Sequence, residues 1–301
     1  MKIVLAYDGS ENSASALESV AARPWPAPLA VTVILAFDLR SALAAHVGAP
    51  AQTEPYAAVL AQGRAAAELR VAQARDKLLA RLPDADVRAY VIEGPPAETI
   101  VTAASQHEAD LIIMGARGHG AIARALLGSV SSSVATRAHC AVEVVRTPSG
   151  GAPPGCRLLL ATDLSAPAAH AIEWVRSMEW PQETQVRLVT AIPPLQFLSS
   201  AETGGHEVLR ELALAKSARR DVEIKQAELR EAFAAKFGAA AVSSEIVDGD
   251  PRDVLVDVAA RWPASLVVLG SHGRTGQKRL LLGSVAHDVL HTAPCAVHIA
   301  R

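Results

Sequence analysis

The run Gly270-Ser-His-Gly273-Arg-Thr-Gly-Gln-Lys-Arg-Leu-Leu-Leu-Gly283-Ser284 follows the apolar stretch Leu266-Val-Val-Leu269 and precedes a helical pattern, Val285-Ala-His-Asp-Val-Leu290. A strand that enters a glycine-rich turn and leaves it into a helix start presents bare backbone N–H groups where an anion can reach them. Glycine also admits positive φ and lets a ligand come close to the main chain. The run therefore reads as a phosphate-binding loop. Gly115-Ala-Arg-Gly118, followed by Gly128-Ser129, repeats its spacing upstream.

The two loops lie 155 positions apart, and the same offset relates residues far from them. Asp8 maps to Asp163, Trp25-Pro26 to Trp180-Pro181, Gly94 and Pro96 to Gly249 and Pro251, Arg124 to Arg279, Cys140-Ala-Val142 to Cys295-Ala-Val297, and Arg146 to Arg301. One constant shift over this range marks a tandem duplication. The expected division is a first domain over residues 1–146, a linker over 147–155 and a second domain over 156–301. The linker is rich in Pro and Gly and carries no periodic pattern.

Each copy alternates short apolar runs with helical patterns. Strands are expected over residues 2–7, 31–37, 87–92, 110–114 and 141–145, and again over 157–161, 185–191, 242–247, 265–269 and 296–299. Long helices are expected over 55–82 and 207–237, with Leu60, Ala67, Val71, Ala74, Leu78 and Leu82 near helical spacing in the first. Ser10 is a plausible N-cap. Strand–helix alternation implies an α/β fold, with a parallel sheet covered on both faces. Ligands bind such sheets at the C-terminal strand ends, where the strand order switches. In a 3-2-1-4-5 order Asp8 and Gly115 face one crevice, as do Asp163 and Gly270.

The balance of 29 Lys+Arg against 31 Asp+Glu gives no electrostatic footprint for nucleic acid or an anionic membrane. Three cysteines make no disulfide framework and no metal knuckle, which fits a reduced, cytoplasmic setting. No run approaches the length of a membrane span, and the first apolar stretch is too short for a signal-peptide core.

The loop has no Gly-x4-Gly-Lys-Ser/Thr and is not of the Walker type. Gly118-His-Gly120-Ala-Ile-Ala123 imitates a dinucleotide fingerprint, but it follows strand four and copy two does not repeat it. The repeated pattern is Gly-x2-Gly-x9-Gly-Ser. In it Gly115 and Gly118 let ribose and phosphates approach the backbone, while Gly128 and Ser129 bring the next helix N-terminus to the phosphates. Asp8 suits a ribose hydroxyl, an adenine amino group or a bridging metal ion.

Both halves resemble universal stress protein domains of the ATP-binding kind, in the two loops, the strand-one aspartates, the Gly-x-Pro turns and the closing Cys-Ala-Val strands. The resemblance covers nearly the whole chain. It implies two Rossmann-like domains of the adenine nucleotide alpha hydrolase-like type, each a five-stranded parallel sheet of order 3-2-1-4-5. It implies one ATP per half, with or without Mg²⁺. Copy two, with Ser-His between its first two glycines, follows the family pattern more closely than copy one, which has Ala116-Arg117 there. The family places Ala6 or Ala161 against adenine, Ala36 or Ala191 over the base, and Met114 or Leu269 and Val130 or Val285 around the loop ends. The cofactor set is completed by Asp8, Gly115, Gly118, Gly128 and Ser129 in copy one and Asp163, Gly270, Gly273, Gly283 and Ser284 in copy two. It also implies that the halves pair through their last strands within one chain. Whether two chains then form a homodimer stays open.

Arg117, His119, His272 and Arg274 either touch phosphate or sit at a solvated loop tip. Arg124 and Arg279 fill a phosphate or a structural role. Residues 38–54 form a lid or a plain loop. His287 and His291 stand at i, i+4 without a third ligand and read as a helix face. Cys140 and Cys295 read as buried small apolar groups. No catalytic residue and no metal site is assigned. Neither paired carboxylates nor a Walker lysine is present, so the function expected is a nucleotide-responsive binding module in stress response. A slow ATP-hydrolysing enzyme, or a scaffold that has lost its nucleotide, is the alternative.

Overall fold

Strand β1 (Lys2–Ala6) is buried at every position but its first, as expected of a strand covered on both faces. It leads into a polar turn in which the Ser10 side chain accepts a hydrogen bond from the Ser13 N–H and caps α1 (Glu11–Ala22). The first half continues through β2 (Ala30–Phe37), α2 (Tyr56–Arg81), β3 (Asp86–Glu93), α3 (Pro96–Gln106), β4 (Leu111–Gly115), α4 (Ser129–Arg137) and β5 (Ala141–Val145). The second half repeats it with β6 (Arg157–Ala161), α5 (Ala168–Ser177), β7 (Gln185–Ile192), α6 (Gly205–Phe237), β8 (Val242–Asp248), α7 (Pro251–Arg261), β9 (Leu266–Gly270), α8 (Ser284–Thr292) and β10 (Ala296–Ala300). The computed structural model describes residues 1–38, 56–118, 127–146, 156–165, 168–193, 205–273 and 282–301. Most of the expected lid (39–54), the linker, His119, Arg124, Arg274 and Arg279 lie outside them.

The strand order is β3-β2-β1-β4-β5-β10-β9-β6-β7-β8. Each half is parallel and has the 3-2-1-4-5 order. The two five-stranded sheets join through one antiparallel ladder, in which Val297, His298 and Ile299 oppose Val144, Glu143 and Val142. One apolar cluster runs across that seam, from Val4, Ile112 and Val142 to Leu159, Val267 and Ile299. The opposite face of the sheet carries a separate cluster for each half.

The repeated Trp-Pro pairs have a local purpose. Trp25 Nε1 donates to the Val20 carbonyl at 2.8 Å, and Trp180 Nε1 to the Val175 carbonyl at 2.9 Å. Each ring thus satisfies a carbonyl near the end of α1 or α5 that has no partner within the helix. The repeated arginines tie the halves together reciprocally. Arg146 donates to the Leu290 and His291 carbonyls at 2.7 and 3.0 Å, and Arg301 to those of Cys140, at 3.0 Å, and Ala135. Each cation caps the C-terminal end of the other half's last helix, where the macrodipole favours positive charge.

Charge is buried in the seam itself. Glu143 is fully buried on β5. Arg23 grips both its oxygens, at 2.7 and 2.9 Å, and Ser19 Oγ lies 3.4 Å from Oε1. From the other half, His298 Nδ1 lies 3.4 Å from Oε2, and Trp174 stacks on the His298 ring at 3.5 Å between centroids. The Arg23 guanidinium also sits 5.9 and 5.6 Å from the rings of Trp174 and Trp180. Burial alone would raise the Glu143 carboxyl, but Arg23 and His298 hold it down at about 2. Burial pushes the His298 ring below its ordinary value, against the pull of Glu143.

Both groups give the same sign of pH dependence. A carboxyl held below its unfolded value, 4.5 here, stabilises the fold above that value and loses the contribution as pH falls toward about 2. A histidine lowered from 6.5 likewise resists protonation and destabilises the fold as pH falls below 6.5. Thermal unfolding is therefore expected to show a falling midpoint below about pH 6.5 and a steeper loss below about 4.5, with Glu143 contributing on the order of 3 kcal/mol. A midpoint flat between pH 7 and 4 would contradict this.

Candidate functional site

The crevice is set by the two strand ends that the order brings together. β1 and β4 are neighbours, with Ala6 opposite Met114. Ala6, Ile34, Met114, Ala116 and Leu127 belong to one apolar cluster, and Val130 packs against it. Ala36 lies two residues beyond Ile34 on β2 and so shares its face. It is opposite Ile92. In the second half Ala161 and Leu269 are buried in the same cluster, with Ala191 and Val285 packed on its margin. The residues assigned to the base thus lie on one apolar face at the C-terminal strand ends.

Beyond that face each half builds the same polar device. Asp8 Oδ1 accepts from the Ser10 N–H at 2.9 Å, and Asp163 Oδ1 from the Ser165 N–H at 3.0 Å. The other oxygen faces the loop. A Cβ at Gly118 would lie 2.5 Å from Asp8 Oδ2, and one at Gly273 would lie 3.0 Å from Asp163 Oδ2. The carboxylate and the second loop glycine are therefore in direct apposition in both halves. Only a residue without a side chain leaves that space open in the first half.

Gly128 and Gly283 fold back on the strand ends. Their N–H groups donate to the Ala116 and Ser271 carbonyls, each at 2.8 Å. They are the N-caps of α4 and α8, and neither helix has a side-chain cap. Ser129 and Ser284 are the first residues of those helices, followed by Val130 and Val285. Two serines strengthen the first copy. Ser131 Oγ donates to the Gly115 and Ala116 carbonyls at 2.9 and 3.2 Å, and Ser10 Oγ to the Arg117 carbonyl at 3.3 Å. Ser131 is Ala286 in copy two. Sequence reading missed it, because a serine inside a helix gives no sign of which carbonyl it meets.

Gly115 is also constrained from behind the loop, since a Cβ there would lie 2.6 Å from the Asn12 carbonyl carbon. The structure gives it a packing reason, the close passage of α1 over the end of β4. Gly270 ends β9 at the equivalent place.

The two copies differ beside the aspartates and in the loops. Arg117 stands where His272 stands in copy two, and the Ser271 hydroxyl lies 3.1 Å from His272 Nδ1. Leu164 adopts φ 59° where copy one has Gly9 at φ 84°. A side chain in the left-handed region costs about 1–2 kcal/mol, part of which glycine returns as unfolded-chain entropy. Leu164→Gly is therefore expected to stabilise the protein by about 0.5–1 kcal/mol, read as a raised unfolding midpoint. A lowered midpoint would mean that the side chain earns its place by contacts.

The His287 and His291 rings are tilted against each other with centroids 4.4 Å apart, and His291 Nε2 lies 3.4 Å from Ser132 Oγ of the other half. No group of three His, Cys, Asp or Glu side chains among the described residues is placed to hold a metal ion. Cys140 and Cys295 are buried, and burial pushes their thiols up to about 11 and about 12, the behaviour of inert apolar groups. No helix among the described residues is long and apolar enough to cross a membrane.

The model of the universal stress protein family matches residues 1–146 and 156–301. A universal stress protein of Mycobacterium tuberculosis is 30% identical over 71% of this chain and 69% of its own. One from Methanocaldococcus jannaschii is 32% identical over 46% of this chain and 76% of its own. Among solved structures, a universal stress protein from Archaeoglobus fulgidus superimposes with a TM-score of 0.60 at 17% identity, covering 100% of this chain and 96% of that one, a likeness of fold.

Proposed function

The chain belongs to the universal stress protein family, and from that premise we propose that each half binds one adenine nucleotide, ATP, at the crevice between its first and fourth strands. The domain division follows the duplication, residues 1–146 and 156–301 joined by 147–155. The observation that carries the reading is the apposition of Asp8 to Gly118 and of Asp163 to Gly273. In each half it lies beside a side-chain-free N-cap that leaves helix N–H groups for phosphate. Ala6, Ala36, Met114 and Val130, and Ala161, Ala191, Leu269 and Val285, hold the base. Gly115, Gly118, Gly128 and Ser129, and Gly270, Gly273, Gly283 and Ser284, hold the ribose and phosphates. Arg117 and His272 reach the phosphate side. Asp8 and Asp163 would hold Mg²⁺ on the phosphate side, where it would offset the phosphate charge.

The protein acts as a nucleotide-responsive regulator in the cytoplasm, under stress, with the paired halves of one chain as its unit. Calorimetric titration with ATP tests this, with ADP and cyclic AMP as comparators. Two sites per chain are expected, and absence of binding at millimolar nucleotide would end the reading. Turnover of roughly 1 per second or more would favour the hydrolytic alternative over the binding role.

A further inference from the structure

The buried cluster of Glu143, His298, Arg23, Ser19 and Trp174 stands at positions where the two copies disagree. Under the 155-residue offset Glu143 corresponds to His298, Arg23 to Met178 and Ser19 to Trp174. Glu143 and His298 also face each other directly in the β5–β10 ladder. A position that pairs with its own equivalent lies on the pseudo-two-fold axis. In a symmetric pair of identical halves it would meet itself.

We infer that this cluster makes the two halves obligate partners of each other, so that neither half pairs with a second copy of itself. Two first halves would set Glu143 against Glu143 on the axis. The oxygen that now faces His298 Nδ1 would then face a second carboxylate. The space filled by Trp174 would be left by Ser19. Two second halves would bring two Trp174 rings, two His298 rings and two Met178 side chains into one buried space, with no cation among them. The observed pairing sets one acid, one cation, one imidazole and one large ring against one small serine. Charge and volume discriminate together, by opposing the wrong pairs as well as favouring the right one.

Two features argue for specificity over bare stability. His298 Nε2 and Trp174 Nε1 are buried without a hydrogen-bond partner, a cost that an all-apolar seam would avoid. A buried ion pair is also seldom better than well-packed apolar residues for stability, while buried polar groups are known to set register and partner.

The test begins from the folded full chain, carrying a protease site between residues 146 and 156 that is cut after purification. Native mass spectrometry then reads the composition of the complexes, since the halves differ in mass. One first half with one second half is expected as the sole pair. First-half or second-half pairs at comparable abundance, or free halves alone, would overturn the inference. A second arm uses the uncut chain. His298→Glu, which sets acid against acid, is expected to lower the unfolding midpoint well beyond His298→Gln, which keeps a neutral donor. In the cut protein it should weaken the pair about tenfold or more. Equal effects of the two substitutions would remove the discriminating role from this position.

Discussion

Arg23→Met is expected to destabilise the protein by about 3–5 kcal/mol, because it leaves the Glu143 carboxylate buried with its main counter-charge gone. The substitution is mild in shape, since methionine stands at the equivalent position, 178, of the other copy. The loss therefore reports charge rather than a cavity. Arg23 supplies both short contacts to Glu143, and His298 at 3.4 Å is a weaker donor that cannot replace them. The unfolding midpoint should fall by on the order of 10 °C. The double variant Arg23→Met with Glu143→Gln should recover most of that loss by removing the orphaned charge. A single variant within about 1 kcal/mol of wild type would show that the buried pair contributes no more than a surface one.

The second large effect concerns the crevices. Gly118→Val should abolish one of the two proposed nucleotide sites, so that titration counts one per chain instead of two, with affinity at the remaining site unchanged. The branched side chain would start 2.5 Å from the Asp8 carboxylate, inside van der Waals contact, and would displace it. Gly273→Val should empty the other site. The alanine versions separate the halves further. Gly118→Ala meets its aspartate at 2.5 Å and Gly273→Ala at 3.0 Å, so the first should weaken binding more than the second. Two sites persisting in the Gly118→Val protein would refute the placement of the ligand against Asp8. A protein that no longer unfolds cooperatively would be recognised by its lost transition and replaced by the alanine pair.

Much of this architecture was legible without coordinates, for a physical reason. The doubled pattern of strands, the spacing of the glycines within each loop and the Ser10 cap depend on local chemistry that identity between copies preserves. The seam cluster escaped the same comparison because of its logic. Aligning the copies at a fixed offset finds positions where they agree, whereas Ser19 and Trp174, Arg23 and Met178, Glu143 and His298 are informative where they differ. The stretch Ala-Val-Glu-Val-Val in β5 gave no hint that its glutamate is buried, since a lone charge in a strand usually marks a solvent face. Gly115 was legible as a constrained glycine but not as one constrained by α1, because Asn12 lies more than one hundred positions away in the chain and only the fold brings it near.

The β5–β10 ladder has a consequence during synthesis. The two strands that close it are separated by 155 residues, so at a typical elongation rate the first half waits roughly 8–30 s for its partner strand. Throughout that interval β5 is an open edge of otherwise apolar residues, the kind of surface that recruits strands from neighbouring nascent chains. Glu143 stands in the middle of it. Before the ring of His298 arrives, that carboxylate and the Arg23 guanidinium that grips it leave a charged pair in the middle of the edge, which opposes the stacking of apolar strands. Once β10 docks, the same pair becomes part of the interior, so it guards the half-made molecule and then joins the finished one.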